Sequence, residues 1–119
     1  MVLPADIEAA IGSQWIRVAS PEDTHFHRML LLHVHSGEAQ AIALAADLKA
    51  DVVLIDEHEG RELASEAGLS VRGILGVLLK AKHNGHIPAV KPEIQTLRVK
   101  ARFFLSQALE AAILSSAGE

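Results

Sequence analysis

Two carboxylates follow directly after an apolar run, and a third lies earlier in the chain. Asp56 and Glu57 come after Val52–Ile55, and Glu38 follows a serine and a glycine. Carboxylates after a buried parallel strand can bind Mg²⁺ or Mn²⁺, hard ions that often use one or two carboxylates together with water. Such an ion would lower the pKa of a bound water and offset phosphodiester charge. A solvated loop that starts a helix fits the same residues, because acids favour that end of a helix, so both interpretations stay open.

Glu38 and the histidines are weaker signals when each is taken alone. Glu38 falls in a predicted first helical turn, where an acid is favoured for electrostatic reasons. The pairs His25/His27 and His33/His35 have the spacing of a zinc chelate on a strand, but on a helix they point to different faces. Because we predict a helix there, a zinc site is not favoured. The sequence shows no glycine-rich phosphate-binding motif and no Ser/His/Asp arrangement.

The elements that must position the acids alternate between helix and strand. Val52–Ile55 is continuous and β-branched, which indicates a strand buried on both faces. Chemistry in parallel sheets gathers where strands end, so Asp56 and Glu57 would lie at that edge. We predict strands over residues 15–19, 52–55 and 69–71, helices over residues 5–11, 21–35, 59–67, 73–82, 92–101 and 106–115, and another helix capped by Ser36.

Composition places limits on the class of protein. The 119 residues suit one domain, residues 1–119, with a core of aliphatic side chains because aromatics are only 3% of the chain. The absence of cysteine excludes disulfides and thiolate-bound zinc. The start lacks the basic segment of a signal peptide, and no apolar run approaches the roughly 20 residues that span a bilayer. We therefore expect a cytoplasmic protein that does not contact membranes.

Charge is distributed unevenly along the chain, although the net charge is only −4. Acids predominate in residues 1–60 and bases in residues 61–102. A metal-dependent phosphodiesterase would use the acids for its ion and the bases for phosphates, whereas two ordinary solvated faces would show the same pattern. Arg61, Lys80 and Lys82 are the basic residues that we predict as nucleic-acid contacts.

Three sequence blocks, GEA-AIALA, IDE-GR and G-LGVLL-AK--G-IP, are specific when taken together. Residues 37–88, which contain them, are similar to an uncharacterised family of PIN-like proteins, relatives of the PIN-domain ribonuclease toxins of prokaryotic toxin–antitoxin pairs. The start VLPADIEAAI resembles a strand and helix of that family, and FFLSQALEAAILSSAGE resembles its C-terminal helix. The resemblance implies an α/β fold, a parallel sheet flanked by helices, and an acidic site that binds Mg²⁺ or Mn²⁺ to cleave RNA.

The resemblance also implies roles for individual residues. Glu38, Asp56 and Glu57 would be the catalytic and metal-binding acids, with Glu57 standing where the family usually has a second aspartate. The family begins with a central strand that ends in a further metal-binding aspartate, and neither precedes VLPADIEAAI here. Asp6 lies too late to replace that aspartate. We therefore expect a PIN-like sheet that lacks the first central strand.

Two functional hypotheses follow from the resemblance. The first is a Mg²⁺- or Mn²⁺-dependent endoribonuclease of the toxin kind, impaired because the first aspartate is absent. The alternative is a catalytically inactive PIN-like interaction module that binds itself or an antitoxin-like protein. A missing central strand leaves open backbone edges, so we expect a homo-oligomer or a rearranged segment. A misassigned start of the coding sequence would explain the same absence.

Overall fold

The computed structural model describes residues 4–119, so the strand expected at the very start of the chain lies outside the described residues. Within that range β1 and β2 pair in parallel, with Val53 opposite Val71 and Leu54 opposite Arg72. The elements of the described part are α1 (Ala5–Gly12), α2 (His25–Leu30), α3 (Ser36–Leu48), β1 (Val53–Leu54), α4 (His58–Glu66), β2 (Val71–Arg72), α5 (Ile74–His83), α6 (Lys91–Ala101) and α7 (Gln107–Ser116).

One apolar core joins the small sheet to α2, α3 and α4. The contribution of α3 to this core is one apolar face, on which Ala39, Ile42 and Ala43 are all buried. Small side chains on this face let α3 approach the neighbouring elements closely. From the sheet, Val53 and Ile55 point into the same core. The packing therefore holds the N-terminus of α3 and the end of β1 in one rigid region.

A second core joins the C-terminal helices. Val90, Ile94 and Leu105 are its buried members, and apolar side chains of α5 and α7 pack against them. The helix start predicted at Ser106 is confirmed, since the Ser106 hydroxyl accepts a hydrogen bond from Leu109 N at 3.2 Å. This second core fixes the turn between α6 and α7 beside the sheet.

Two predictions for the first third of the chain are wrong. Residues 15–19 form no strand, and Trp15 is 76% exposed, because alternation cannot make a strand without a neighbour to pair with its backbone. The helix predicted from residue 21 to 35 is limited to α2. It begins after Thr24, whose hydroxyl accepts from His27 N at 3.1 Å, and ends at Leu30. The local cap at Thr24 therefore sets the start of this helix.

The prediction that β1 is buried on both faces is also wrong. Val53 and Ile55 are buried, but Leu54 is 63% exposed. The reason is that nothing among residues 4–119 covers the second face. One edge of β1 is also open. Val53 N donates to the Ser70 carbonyl oxygen at 2.8 Å and Ile55 N to the Arg72 carbonyl oxygen at 3.0 Å. Because neighbouring residues of a strand direct their backbone groups to opposite edges, those of Leu54 lie on the edge away from β2.

The described chain is less compact than an ordinary domain. Its radius of gyration is 16.0 Å, whereas a compact chain of this length would have about 13.5 Å. Helices joined to a small parallel sheet are compatible with the expected PIN-like α/β class, and the absence of a first central strand stays a prediction. None of the helices within residues 4–119 has both the length and the apolar character needed to cross a membrane.

Candidate active site

Asp56 lies where β1 ends, opposite the point where β2 runs into α5. Its Oδ1 accepts a hydrogen bond of 2.7 Å from Ile74 N, the first residue of α5. A carboxylate at this position accepts a hydrogen bond from an otherwise unpaired N–H of the first helical turn, and the positive end of the helix dipole stabilises its negative charge. Gly73 makes the approach possible, because a Cβ there would lie 3.1 Å from Asp56 Oδ1. The acid predicted at the carboxyl edge of the sheet therefore ties the two strand ends together.

Arg61 brings a positive charge to the same edge. Its Nη1 donates to the Asp56 carbonyl oxygen at 2.8 Å, and a Cβ on Gly73 would lie 3.2 Å from that nitrogen. The guanidinium is thus held by the backbone that presents Asp56 rather than by an ion pair. Its remaining N–H groups stay available for another acceptor, because a guanidinium has five donors.

Glu38 lies at the start of α3 and is half-buried. Its Oε2 atom is buried and accepts no hydrogen bond from any of the described residues 4–119, although buried carboxylate oxygens are almost always paired. Gly60, in the first turn of α4, provides the space, since a Cβ there would collide with the Glu38 carboxylate and lie 2.9 Å from Ile55 Cγ2. A water or a cation could satisfy this oxygen.

Two neighbouring cavities meet at Glu57. The first has a volume of about 660 Å³ and is lined by Glu38, Glu57 and His58, together with residues of the turn after α2. The second, of about 670 Å³, is lined by Asp56, Glu57 and Arg61 and by the chain between α6 and α7. Glu57 therefore connects the two predicted parts of the acidic site.

Comparison with known proteins shows to which protein family this chain belongs. A protein-family model described as "PIN domain" matches residues 3–119. The chain belongs to the PIN-domain family. No curated protein and no solved structure matches it significantly. The predicted family is thereby confirmed, and with it a nuclease-like fold.

PIN domains generally use divalent metals, and the acids of this PIN domain fit such an ion in part. Among residues 4–119 no three His, Asp or Glu side chains group closely enough to hold a metal ion by themselves. Mg²⁺ commonly takes only one or two protein carboxylates and keeps several waters. Glu38 and Glu57, which line one cavity, are the carboxylates that could hold a cation of that kind.

The three predicted nucleic-acid contacts lie in different places on the PIN domain. Arg61 is beside the acids. Lys80 lines a separate apolar groove with Val52 and Leu54. The Lys82 ammonium donates to Glu119 Oε2 at 3.1 Å and is therefore already paired. The structure thus brings only Arg61 of the three together with the acids, and the roles of all three in binding stay predictions.

Sequence analysis missed two residues of this region. Arg102 and Phe104 both line the cavity that contains Asp56 and Glu57. The available signal was an arginine followed by an apolar run, between the helices predicted over residues 92–101 and 106–115. The pair His33/His35 was noticed for its spacing, but it lies in the turn after α2 and lines the Glu38 cavity.

Proposed function

We propose that this PIN-domain protein hydrolyses RNA phosphodiester bonds with Mg²⁺ or Mn²⁺, as a ribonuclease of the toxin–antitoxin kind acting in the cytoplasm. The observation that supports this proposal best is that Glu38, whose buried Oε2 atom accepts no hydrogen bond from residues 4–119, and Glu57 line the same cavity. An unpaired buried carboxylate oxygen is costly, and a bound cation would offset that cost.

Each side chain has a distinct part in this proposal. Glu38 and Glu57 would hold the ion, which when bound lowers the pKa of water and offsets phosphate charge. Asp56 holds the end of β1 against α5 through Ile74 N, and so keeps the acids in a fixed relation to the sheet. Arg61 offers a planar guanidinium, which suits the oxygens of a phosphate.

The test is RNA cleavage by the purified chain in Mn²⁺, with EDTA and with Glu38→Gln. We expect cleavage only without EDTA and only with Glu38 intact. Glu8→Gln is the matched control, because Glu8 is an exposed acid of α1 that lines neither cavity of the acidic site. Mn²⁺ should also raise the melting temperature of the unmodified chain but not that of Glu38→Gln, since a ligand of the folded state stabilises it. Cleavage unaffected by Glu38→Gln would contradict the proposal.

The alternative function is an inactive interaction module that binds a second copy or an antitoxin-like protein. The exposed Leu54 on an open strand edge favours it, together with an apolar groove of about 450 Å³ lined by Val52, Leu54 and Val77. Open edges of this kind readily pair with another chain. Sedimentation of the unmodified chain and of Leu54→Lys tests it. A concentration-dependent oligomer that Leu54→Lys dissociates, in a chain that cleaves no RNA, would favour the alternative.

A further inference from the structure

Residues 4–22 form an N-terminal arm that stands apart from both apolar cores. Within the described chain, neither core includes a residue of this arm. No backbone–backbone hydrogen bond among residues 4–119 involves residues 17–21. The large apolar side chains of the arm face water, since Trp15 is 76% exposed and Val18 is 75% exposed. Exposed apolar groups that lie close together typically mark a contact with another molecule.

The apolar groove beside β1 is a second surface of this kind. Its volume is about 450 Å³, and Val52, Leu54 and Val77 supply its apolar lining. Three basic side chains line the same groove, and none of its lining residues within the described chain is acidic: the three are Arg72, Lys80 and His86. Among residues 4–119, neither Arg72 nor Lys80 forms an ion pair. The groove therefore combines an apolar floor with uncompensated positive charge.

The arm and the groove match in apolar character and in charge. Acids outnumber bases in the arm, with Asp6, Glu8 and Glu22 against Arg17. Surfaces of opposite charge attract each other and reject partners of the wrong sign. No described residue of the arm lines the groove of its own chain, so within one copy the two surfaces lie apart. A second copy can bring them together.

We infer that the arm of one copy docks into the groove of a second copy, with Trp15 packed against Leu54 and the acids of the arm beside Lys80. This inference rests on the alternative function, self-association at the groove, and names the segment that enters it.

The exchange should be mutual and should stop at a dimer. Every copy carries both an arm and a groove, so a mutual exchange closes at two copies, whereas a one-way contact would continue as an open chain. A buried tryptophan contributes about 150 to 250 Å², and stable interfaces bury roughly 800 Å² on each partner. Two docked arms approach that area more closely than one.

The fluorescence of Trp15 reports the position of the arm directly, because the chain has one tryptophan and no tyrosine. In the dimer we expect the emission of a buried indole, protected from quenching by acrylamide. On dilution, the emission should move to the red and quenching should increase, over the concentrations at which sedimentation shows the dimer dissociating. Rising salt should favour dissociation, because it screens the attraction between the arm and the basic groove.

Substitutions on each side of the contact should dissociate the dimer. Trp15→Ala should weaken dimerisation at least about 30-fold, the loss of one aromatic hot spot, and Trp15→Phe should weaken it less because a ring remains. Leu54→Lys should dissociate the dimer and expose Trp15. Val99→Lys is the matched control, since Val99 is 81% exposed and does not line the groove. Circular dichroism of each variant verifies that the helices are retained.

A mixture of two variants shows whose groove the arm enters. The Leu54→Lys chain carries the only tryptophan of the mixture but an altered groove, and the Trp15→Ala chain has an intact groove. An excess of Trp15→Ala should therefore shift the emission of Leu54→Lys to the blue. An excess of the chain that carries both substitutions should not. Without the first shift, the exchange between copies is wrong.

The outcomes separate the exchange from the functions proposed above. A dimer that Leu54→Lys dissociates, but whose Trp15 stays exposed, would keep self-association at the groove and overturn the arm as its occupant. A monomer with a shielded Trp15 would place the arm in its own groove and overturn the exchange. A monomer with an exposed Trp15 would overturn both the exchange and self-association. RNA cleavage in Mn²⁺ is measured separately, and neither result changes these conclusions.

Discussion

Replacing Gly60 by alanine tests the packing that positions Glu38. Gly60 lies in the first turn of α4, and a Cβ there would collide with the Glu38 carboxylate and come within 2.9 Å of Ile55 Cγ2. The carboxylate can swing away because it ends a flexible side chain. The Ile55 methyl group is buried in the first core and has less freedom to move. The strained contact with Ile55 should therefore lower the free energy of unfolding, and the displacement of the Glu38 carboxylate should weaken metal binding.

The expected magnitude is the difference between two opposing effects. Alanine is favoured over glycine within a helix by up to about 1 kcal/mol. Forcing a methyl group into a packed site costs about 1 to 3 kcal/mol. Gly60→Ala should therefore lower the free energy of unfolding by about 0 to 2 kcal/mol. Gly37→Ala is the control, because Gly37 lies in the first turn of α3 with no atom within 4 Å of its Cβ position. That variant should be stabilised by about 0.4 to 1 kcal/mol.

The assay is thermal unfolding of both variants, with and without Mn²⁺. A difference of 1 kcal/mol corresponds to about 4 °C for a chain of this size, so Gly60→Ala should melt about 2 to 12 °C below Gly37→Ala. Mn²⁺ should stabilise Gly37→Ala as much as the unmodified chain, and Gly60→Ala less, because its Glu38 is displaced. Equal melting temperatures of the two variants would refute the reasoning about Gly60.

Three further predictions concern other parts of the chain. Asp56→Ala should lower stability by about 0.5 to 2 kcal/mol through loss of the contact with Ile74 N, and Asp56→Asn should lower it less because an acceptor remains, as chemical denaturation would show. A hydrogen bond from Arg98, 2.7 Å long, lowers the pKa of Glu110 below its usual 4.5. The ionised Glu110 therefore stabilises the fold above pH 4.5, and this contribution is lost as the pH falls through the lowered pKa. Melting curves from neutral to acidic pH should therefore fall less steeply for Glu110→Gln. Leu54→Lys should reduce precipitation at high protein concentration, measured by light scattering, because it places a charge on an open edge.

The C-terminal half of the fold was predictable because its signals are local. A serine cap at residue 106 and a glycine at residue 68 depend only on hydrogen bonds within a few residues, and both helix ends lie where expected. The first third of the chain was less predictable. Residues 15–19 have the alternation of a strand, but pairing requires a partner strand, and residues 4–119 contain none beside them.

In the candidate site too, some features follow from local sequence and others depend on tertiary contacts. The carboxylates were identified from their types and spacing, and the family to which the chain belongs follows from the same residues. That Glu38 has an unpaired oxygen against Gly60, and that Lys80 lies away from the acids, depends on how α3, α4 and α5 pack.

The sequence by itself determined the helix boundaries of the second half to within a residue, the position of the strand β1 and the identity of the candidate acids, because short-range hydrogen bonds and residue chemistry are encoded locally. Only the tertiary structure decided which face of β1 is open and which arginines stand near Asp56. It also decided that Phe104 points away from the core, because the two neighbours that anchor it belong to a core assembled from three helices.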